Sequence, residues 1–297
     1  MKRVLRWIGI VLGAVIAVVA IAAVVIVVDS NRQIAANVAP VPPPTVLGHA
    51  DVARGRHLFN SVTGCADCHR ADAGGGPFVN EPVMMVLNAP NLTRGPGGVG
   101  VLYSDADYDR AIRRGVRPDG TRLLIMPSWD YAALSDDDAA SVIAYLRSVP
   151  PVDRASARVQ LGPIGRVLIA TKKIEFDATR LADEGPPASP APQGVTPQYG
   201  AYLARIGGCL ACHGAHLSGG HFEGSPSDPP AANITPTGIG SWTKDQFVAT
   251  LRTGKDPAGH ALNPFMPWRL LGTMTDDELT ALYDYLKTVP PRPTGNG

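Results

Sequence analysis

The sequence has no excess of either charge, with 27 basic and 26 acidic side chains in 297 residues. That balance excludes a bulk electrostatic attraction to nucleic acid or to an acidic substrate, so any charged docking patch is local. Aromatic residues are scarce, at 6%. Cysteine is limited to four residues, all inside two Cys-x-x-Cys-His motifs, and none is left for a disulfide framework. No run alternates clearly enough between apolar and polar residues to be assigned as a strand. Gly (32) and Pro (28) make up about a fifth of the chain. This composition suits small, loop-rich helical domains in which a bound apolar group supplies part of the core.

One long apolar run is present. From Trp7 to Val28, 22 residues carry no charge, and as a helix they would span about 33 Å, one bilayer crossing. Lys2, Arg3 and Arg6 precede the run, while Asp29 and Arg32 follow it. The basic excess predicts a cytoplasmic N-terminus with everything downstream outside the membrane. A cleaved signal peptide is the alternative, but its apolar core is ordinarily shorter than this one. Pro40, Pro42, Pro43 and Pro44 then read as an extended spacer.

The rest of the chain repeats itself. Landmarks between about 50 and 151 recur in the same order between about 196 and 291. Gly64-Cys65-Ala66-Asp67-Cys68-His69 matches Gly208-Cys209-Leu210-Ala211-Cys212-His213, and Asn91-Leu92-Thr93 matches Asn233-Ile234-Thr235. Segments ending at Gly115 and Gly254 read as helices with glycine C-caps. Met126-Pro127 and Met266-Pro267 follow in register, and Ser135 with Asp138 and Thr275 with Glu278 open a last helix in each copy. Helices should also precede each cysteine motif, one over 53–62 and one from Thr196-Pro197. The expected architecture is all-α: an anchor over 1–28, a spacer over 29–48, domains over 49–152 and 196–292, and a linker over 153–195 whose apolar Val167–Ala170 stretch packs on a domain.

Cys-x-x-Cys-His is the signature of covalent c-type haem attachment. Two thiols with two residues between them match the two vinyl groups of the porphyrin, and the adjacent histidine then lies beneath the iron. A zinc site would want its cysteine pairs some 12–20 residues apart, whereas these lie 144 apart. A dithiol redox motif would want a βαβ setting and leaves the repeated histidine unexplained. Cys65, Cys68 and His69 therefore read as one haem c site and Cys209, Cys212 and His213 as a second. Met126 and Met266, in register and each before proline, are the candidate sixth ligands of iron. Met84, Met85, Met274, His57, His216, His221 and His260 lack counterparts and read as packing or local structural residues. The Asn-x-Thr triplets formally fit glycosylation sequons but read as loops near a haem edge. Trp129, Trp268, Tyr145 and Tyr285 either pack on porphyrin or fill the interior around the last helices.

These motifs resemble the membrane-anchored cytochrome c subunits of bacterial alcohol, gluconate and related dehydrogenases and their di-haem relatives. The likeness covers nearly all of residues 49–292 and includes Leu124-Ile125-Met126-Pro127, Gly238-Ile239-Gly240-Ser241-Trp242 and Asn263-Pro264-Phe265-Met266-Pro267. It implies tandem class I cytochrome c domains, with His69 and Met126 on one iron and His213 and Met266 on the other. Dehydrogenase-associated subunits often carry three such domains, whereas this chain carries two. The expected function is single-electron transfer at the periplasmic side of the inner membrane. The electrons would come from a dehydrogenase or quinol-linked complex and leave to a downstream cytochrome or terminal oxidase. The alternative is a di-haem peroxidase, which needs one iron able to open a coordination position.

Overall fold

A computed structural model describes residues 2–38, 48–156, 159–182, 190–221 and 229–295. The N-terminal helix α1 spans Lys2–Ala35, so the helix continues about two turns past the apolar run that ends at Val28, and the first part of the expected spacer is helical. Pro40, Pro42, Pro43 and Pro44 lie outside the described residues. Every residue from Lys2 to Val25 is exposed, whereas Ser30 is fully buried.

The first repeat begins with α2 (Val52–His57), which runs directly into a π-helical turn, Leu58–Val62. The Cys-x-x-Cys-His motif forms the one-turn helix α3 (Cys65–His69). Two strands follow, β1 (Gly76–Glu81) and β2 (Met85–Ala89), paired antiparallel with a register shift between Pro77 and Val79. A 3-10 turn at Val99–Val101 leads to α4 (Asp105–Arg114), then α5 (Ser128–Tyr131) and α6 (Asp136–Ser148). Between the repeats lie β3 (Gln160–Leu161), α7 (Pro163–Ala170) and α8 (Asp177–Arg180). The second repeat comprises α9 (Pro197–Ile206), α10 (Cys209–His213), α11 (Pro236–Ile239), α12 (Lys244–Thr253), α13 (Trp268–Leu271) and α14 (Asp276–Thr288).

Helices carry both repeats, but the all-α expectation needs one correction: β3 completes a three-stranded sheet in the order β1-β2-β3. Its strands escape a period-two reading because Pro77 and the register shift break the alternation of β1, and β3 is two residues long.

The helix ends follow the local chemistry of the sequence. Ser104 and Asp107, Thr243 and Gln246, and Thr275 and Glu278 form reciprocal capping boxes, each stabilising its helix start by about 1 kcal/mol. Gly115 and Gly254 close α4 and α12 in the left-handed region, at φ +66° and +70°, where a Cβ would be strained. In both repeats the first helix packs on the last through a glycine. A Cβ on Gly55 would overlap the Ser141 carbonyl, and one on Gly200 the Ala281 carbonyl.

The repeats are joined by packing as well as by the chain. One cluster of buried side chains takes in Leu58, Phe59, Val62, Leu134 and Ile143 from the first repeat and Leu203, Ile206, Leu271, Leu279 and Leu286 from the second. Contacts across the boundary are reciprocal: α13 meets the π turn of the first repeat, and α5 meets α9 of the second. A polar network lies on the same boundary. Arg54 bonds Asp138 at 3.0 Å and Glu278 at 2.9 Å, His57 Nε2 lies 2.7 Å from Glu278, and the Tyr202 hydroxyl donates to Asp138 at 2.7 Å. Burial alone would raise the Glu278 pKa, but hydrogen bonds from His57 and Thr275 N and the charges of His57 and Arg54 outweigh it and hold the group at about 2.

The 153–195 stretch is structured through much of its length. Helix α7 packs along the end of α1, where Arg166 Nη1 donates to Ser30 Oγ at 3.0 Å and to Asn31 Oδ1 at 2.9 Å. Gln33 donates back to the Ala170 carbonyl at 3.3 Å. Helix α8 packs on α5, with Asp177 accepting from Trp129 N at 2.9 Å. The Pro-rich 185–197 expectation falls partly outside the described residues.

Candidate haem sites

Each Cys-x-x-Cys-His helix starts from a glycine in the left-handed region, Gly64 at φ +65° and Gly208 at φ +71°. This sharp entry turns the chain so that Cys65 and Cys209 pack against the shared core. The chain leaves each motif through a second residue of positive φ, Arg70 or Gly214, and returns to it: Gly75 N donates to His69 O and Gly219 N to His213 O, both at 2.9 Å. Ala73 and Leu217, both buried, hold matching positive φ values of 54° and 60°.

The histidines are set identically. His69 Nδ1 lies 3.0 Å from the Pro90 carbonyl, and His213 Nδ1 lies 2.7 Å from the Ala232 carbonyl. A carbonyl oxygen can only accept, so Nδ1 carries the proton in both rings and Nε2 presents a lone pair, the tautomer an iron ligand requires. Burial lowers both imidazole pKa values, against an opposing contribution from these hydrogen bonds, and this keeps the rings neutral.

The accepting carbonyls are held by the Asn-x-Thr triplets that follow them. Asn91 Nδ2 donates to the carbonyls of Val152 at 2.8 Å and Arg154 at 3.1 Å, while its Oδ1 accepts from Thr93 N and Oγ1. Asn233 does the same with Arg292 O at 2.8 Å, Thr294 Oγ1 and Thr235. Both asparagines are buried, which removes them as glycan acceptors. They are clamps that tie the histidine's partner to the chain beyond the last helix. The sequence signal was available: a polar triplet in register in both copies, always one residue after the accepting carbonyl.

Met126 and Met266 sit half-buried on the loops ahead of α5 and α13, against the same core as Cys65 and Cys209. Their backbones match too, with Ser128 N donating to Met126 O and Trp268 N to Met266 O, both at 2.8 Å. In the first repeat the Tyr131 hydroxyl donates to Thr63 O at 2.6 Å, which ties the Met126 segment to the residues entering Cys65. Of the unmatched residues, Met85 and Met274 are buried, and His57 belongs to the inter-repeat network. Tyr145 packs on Phe59, and the guanidinium groups of Arg180 and Arg205 lie 4.0 and 4.5 Å from the centre of the Trp129 ring.

The donor set fits haem better than a bare metal ion. Burial pushes the Cys65 thiol up to about 11 and, with nearby negative charge adding to it, Cys68 and Cys209 up to about 12. Free thiols here would stay protonated, so they are not poised as thiolate nucleophiles. Among the described residues no three His, Cys, Asp or Glu side chains converge on a metal-ion site, and all four cysteines are unpaired. Arg122 Nε, on the Met126 loop, is buried without a hydrogen-bond partner, which leaves a donor for a carboxylate-bearing group such as haem.

The family model for cytochrome c matches residues 52–150 and again 198–290. The chain belongs to the cytochrome c family. This cytochrome is thus a haem-binding electron-transport protein. It is 29% identical over 276 residues to the fructose dehydrogenase cytochrome subunit of Gluconobacter japonicus, covering 84% of this chain and 55% of the relative. It is 27% identical to the alcohol dehydrogenase (quinone) cytochrome c subunit of Gluconobacter oxydans, covering 82% and 56%. The chain spans about half the length of these two relatives. A diheme cytochrome c-type protein of Cereibacter sphaeroides is 28% identical, with 81% of this chain and 86% of that protein covered.

Proposed function

We propose that this cytochrome is a two-haem relay held at the periplasmic face of the cytoplasmic membrane. Cys65 and Cys68 attach one haem c and Cys209 and Cys212 the other, in units spanning about 49–152 and 196–292. His69 with Met126 and His213 with Met266 close the two iron coordination spheres. The observation that carries this reading is a joint recurrence. In both repeats an imidazole with its Nδ1 proton committed to a carbonyl occurs together with a half-buried methionine ahead of proline.

When bound, haem c supplies a one-electron ferric/ferrous couple. The Pro90 and Ala232 carbonyls fix the histidine tautomers, and the methionine thioethers, as weak donors, favour the ferrous state and raise the potential. Helix α1 crosses the bilayer with its basic N-terminal end inside, which confines encounters with partners to the membrane surface. The names of the relatives favour a dehydrogenase as electron donor; a downstream cytochrome or terminal oxidase takes the electron.

Met126→Ala and Met266→Ala test the ligand assignment. Each should remove about half of the thioether-to-ferric charge-transfer absorption and leave covalent haem content unchanged; if both variants keep the full band, the assignment is wrong. Carbon monoxide separates the relay from a peroxidase. The reduced relay should show little spectral change, whereas ready binding at one iron would favour the enzyme.

A further inference from the structure

The two attachment motifs face different neighbours. Across the boundary between the repeats, the fourth residue after each methionine lies against the glycine that opens the opposite motif. A Cβ on Gly64 would come within 3.1 Å of Leu270 Cδ2, and a Cβ on Gly208 within 3.4 Å of Asp130 Oδ2. Leu270 and Asp130 are equivalent positions in the repeat, four residues after Met266 and Met126. One motif is therefore capped by a leucine and the other by a buried carboxylate, while the first motif's own carboxylate, Asp67, which acts on Cys68, is exposed and screened by solvent.

That carboxylate is buried. The Asp130 side chain is 5% exposed, its Oδ1 accepts no hydrogen bond among the described residues, and the nearest cation, Arg205 Nη1, is 3.6 Å away. The groups acting on it are Arg205 from α9 and Asp177 and Arg180 from α8, two cations and one anion, while α4, also packed on α5, contributes none. From α10 the Cys209 and Cys212 sulfurs feel its charge; as thioethers they do not titrate. Burial raises Asp130 to about 6, with Arg205 opposing the rise, so the group is ionised at pH 8.

A negative charge in a medium less polar than water stabilises the more positive redox state of a nearby centre. Resting on the two-haem reading above, we propose that Asp130 orders the two centres. Its charge lowers the reduction potential of the Cys209–His213 haem relative to the Cys65–His69 haem, so that an electron shared by the pair settles on the N-terminal repeat. Asp130 is a positioning residue for charge; nothing in its geometry makes it an iron ligand.

The test is a spectroelectrochemical titration of the full chain with both haems loaded, at pH 8, with the C-terminal wave assigned through a Met266→His variant. Asp130→Asn should raise the C-terminal potential alone and shift the electron distribution between the haems about tenfold, about 59 mV for one electron. Asp130→Glu should keep the wild-type separation. In unmodified protein the separation should shrink as the pH falls from 8 to 5, a measurement that needs no variant to fold. Equal movement of both waves, or a separation indifferent to both Asp130→Asn and pH, overturns the proposal while leaving the two-haem reading intact. Wild-type protein lacking two covalent haems instead overturns that reading, and this inference with it.

Discussion

From Gly55 to Cys65 the N-terminal repeat advances ten residues, whereas the C-terminal repeat advances nine from Gly200 to Cys209. Both glycines are pinned against a last helix and both cysteine motifs against the core, so the extra residue has to be absorbed between them. In the C-terminal repeat α9 is α-helical throughout, but in the N-terminal repeat the helix widens into a π turn, where Thr63 N bonds Leu58 O five residues back at 3.0 Å. The widened turn is also the part of the first repeat that α13 meets, with Ser61 and Thr273 hydroxyls 2.7 Å apart. An insertion next to a functional site is thus accommodated by local bonding, a recurrent use of π bulges, and the geometry of the histidine and its carbonyl is kept in both copies.

Breaking the covalent attachment in one copy at a time should have the largest effect. Cys68→Ala and Cys212→Ala should each lower the covalent haem count from two to one and destabilise the chain. Haem content from the pyridine haemochrome spectrum, together with thermal unfolding, measures both effects; wild-type content in either variant contradicts the assignment. Next in size, Gly55→Ala and Gly200→Ala should each cost about 3 kcal/mol through backbone overlap with the last helix. Near-equal losses in denaturant unfolding would show that the two helix pairs are equivalent despite the π turn, and a marked inequality would show that the π turn yields.

The smallest effect concerns the boundary itself. Glu278→Gln should cost about 2 kcal/mol, more than Asp138→Asn, because Glu278 takes bonds from Arg54, His57, Tyr199 and Thr275 N. Its folded-state pKa lies below the ordinary 4.5. The stabilisation it provides is therefore present above pH 4.5 and is lost as the pH falls toward about 2. Stability measured across that window should fall steeply in the wild type and less so in the Gln variant.

The parts of the molecule that were readable from sequence are those governed by local chemistry. Gly115 and Gly254 ended helices, Thr275 with Glu278 began one, and the repeat put Met126 and Met266 in register. The β1–β2 hairpin was not readable, because a register shift hides its alternation. The π turn was hidden as well, since it arises from tertiary pinning at Gly55 and Cys65 and not from any propensity of Leu58–Val62. The triplets at Asn91 and Asn233 read from sequence as loop residues, but their clamp role depends on Val152 and Arg292, about 60 residues further along, being brought beside them. Asp130 carried no local signal at all, since its significance comes from Gly208, which belongs to the other repeat.

The apolar interior does not divide where the duplication does. Val62 and Leu271 come from different copies yet are buried in one cluster, so severing the chain between the copies would strip each half of a flank and leave oily residues in water. The duplicated halves are therefore not interchangeable modules that evolution could shuffle singly. Opening either copy therefore uncovers apolar side chains of the other.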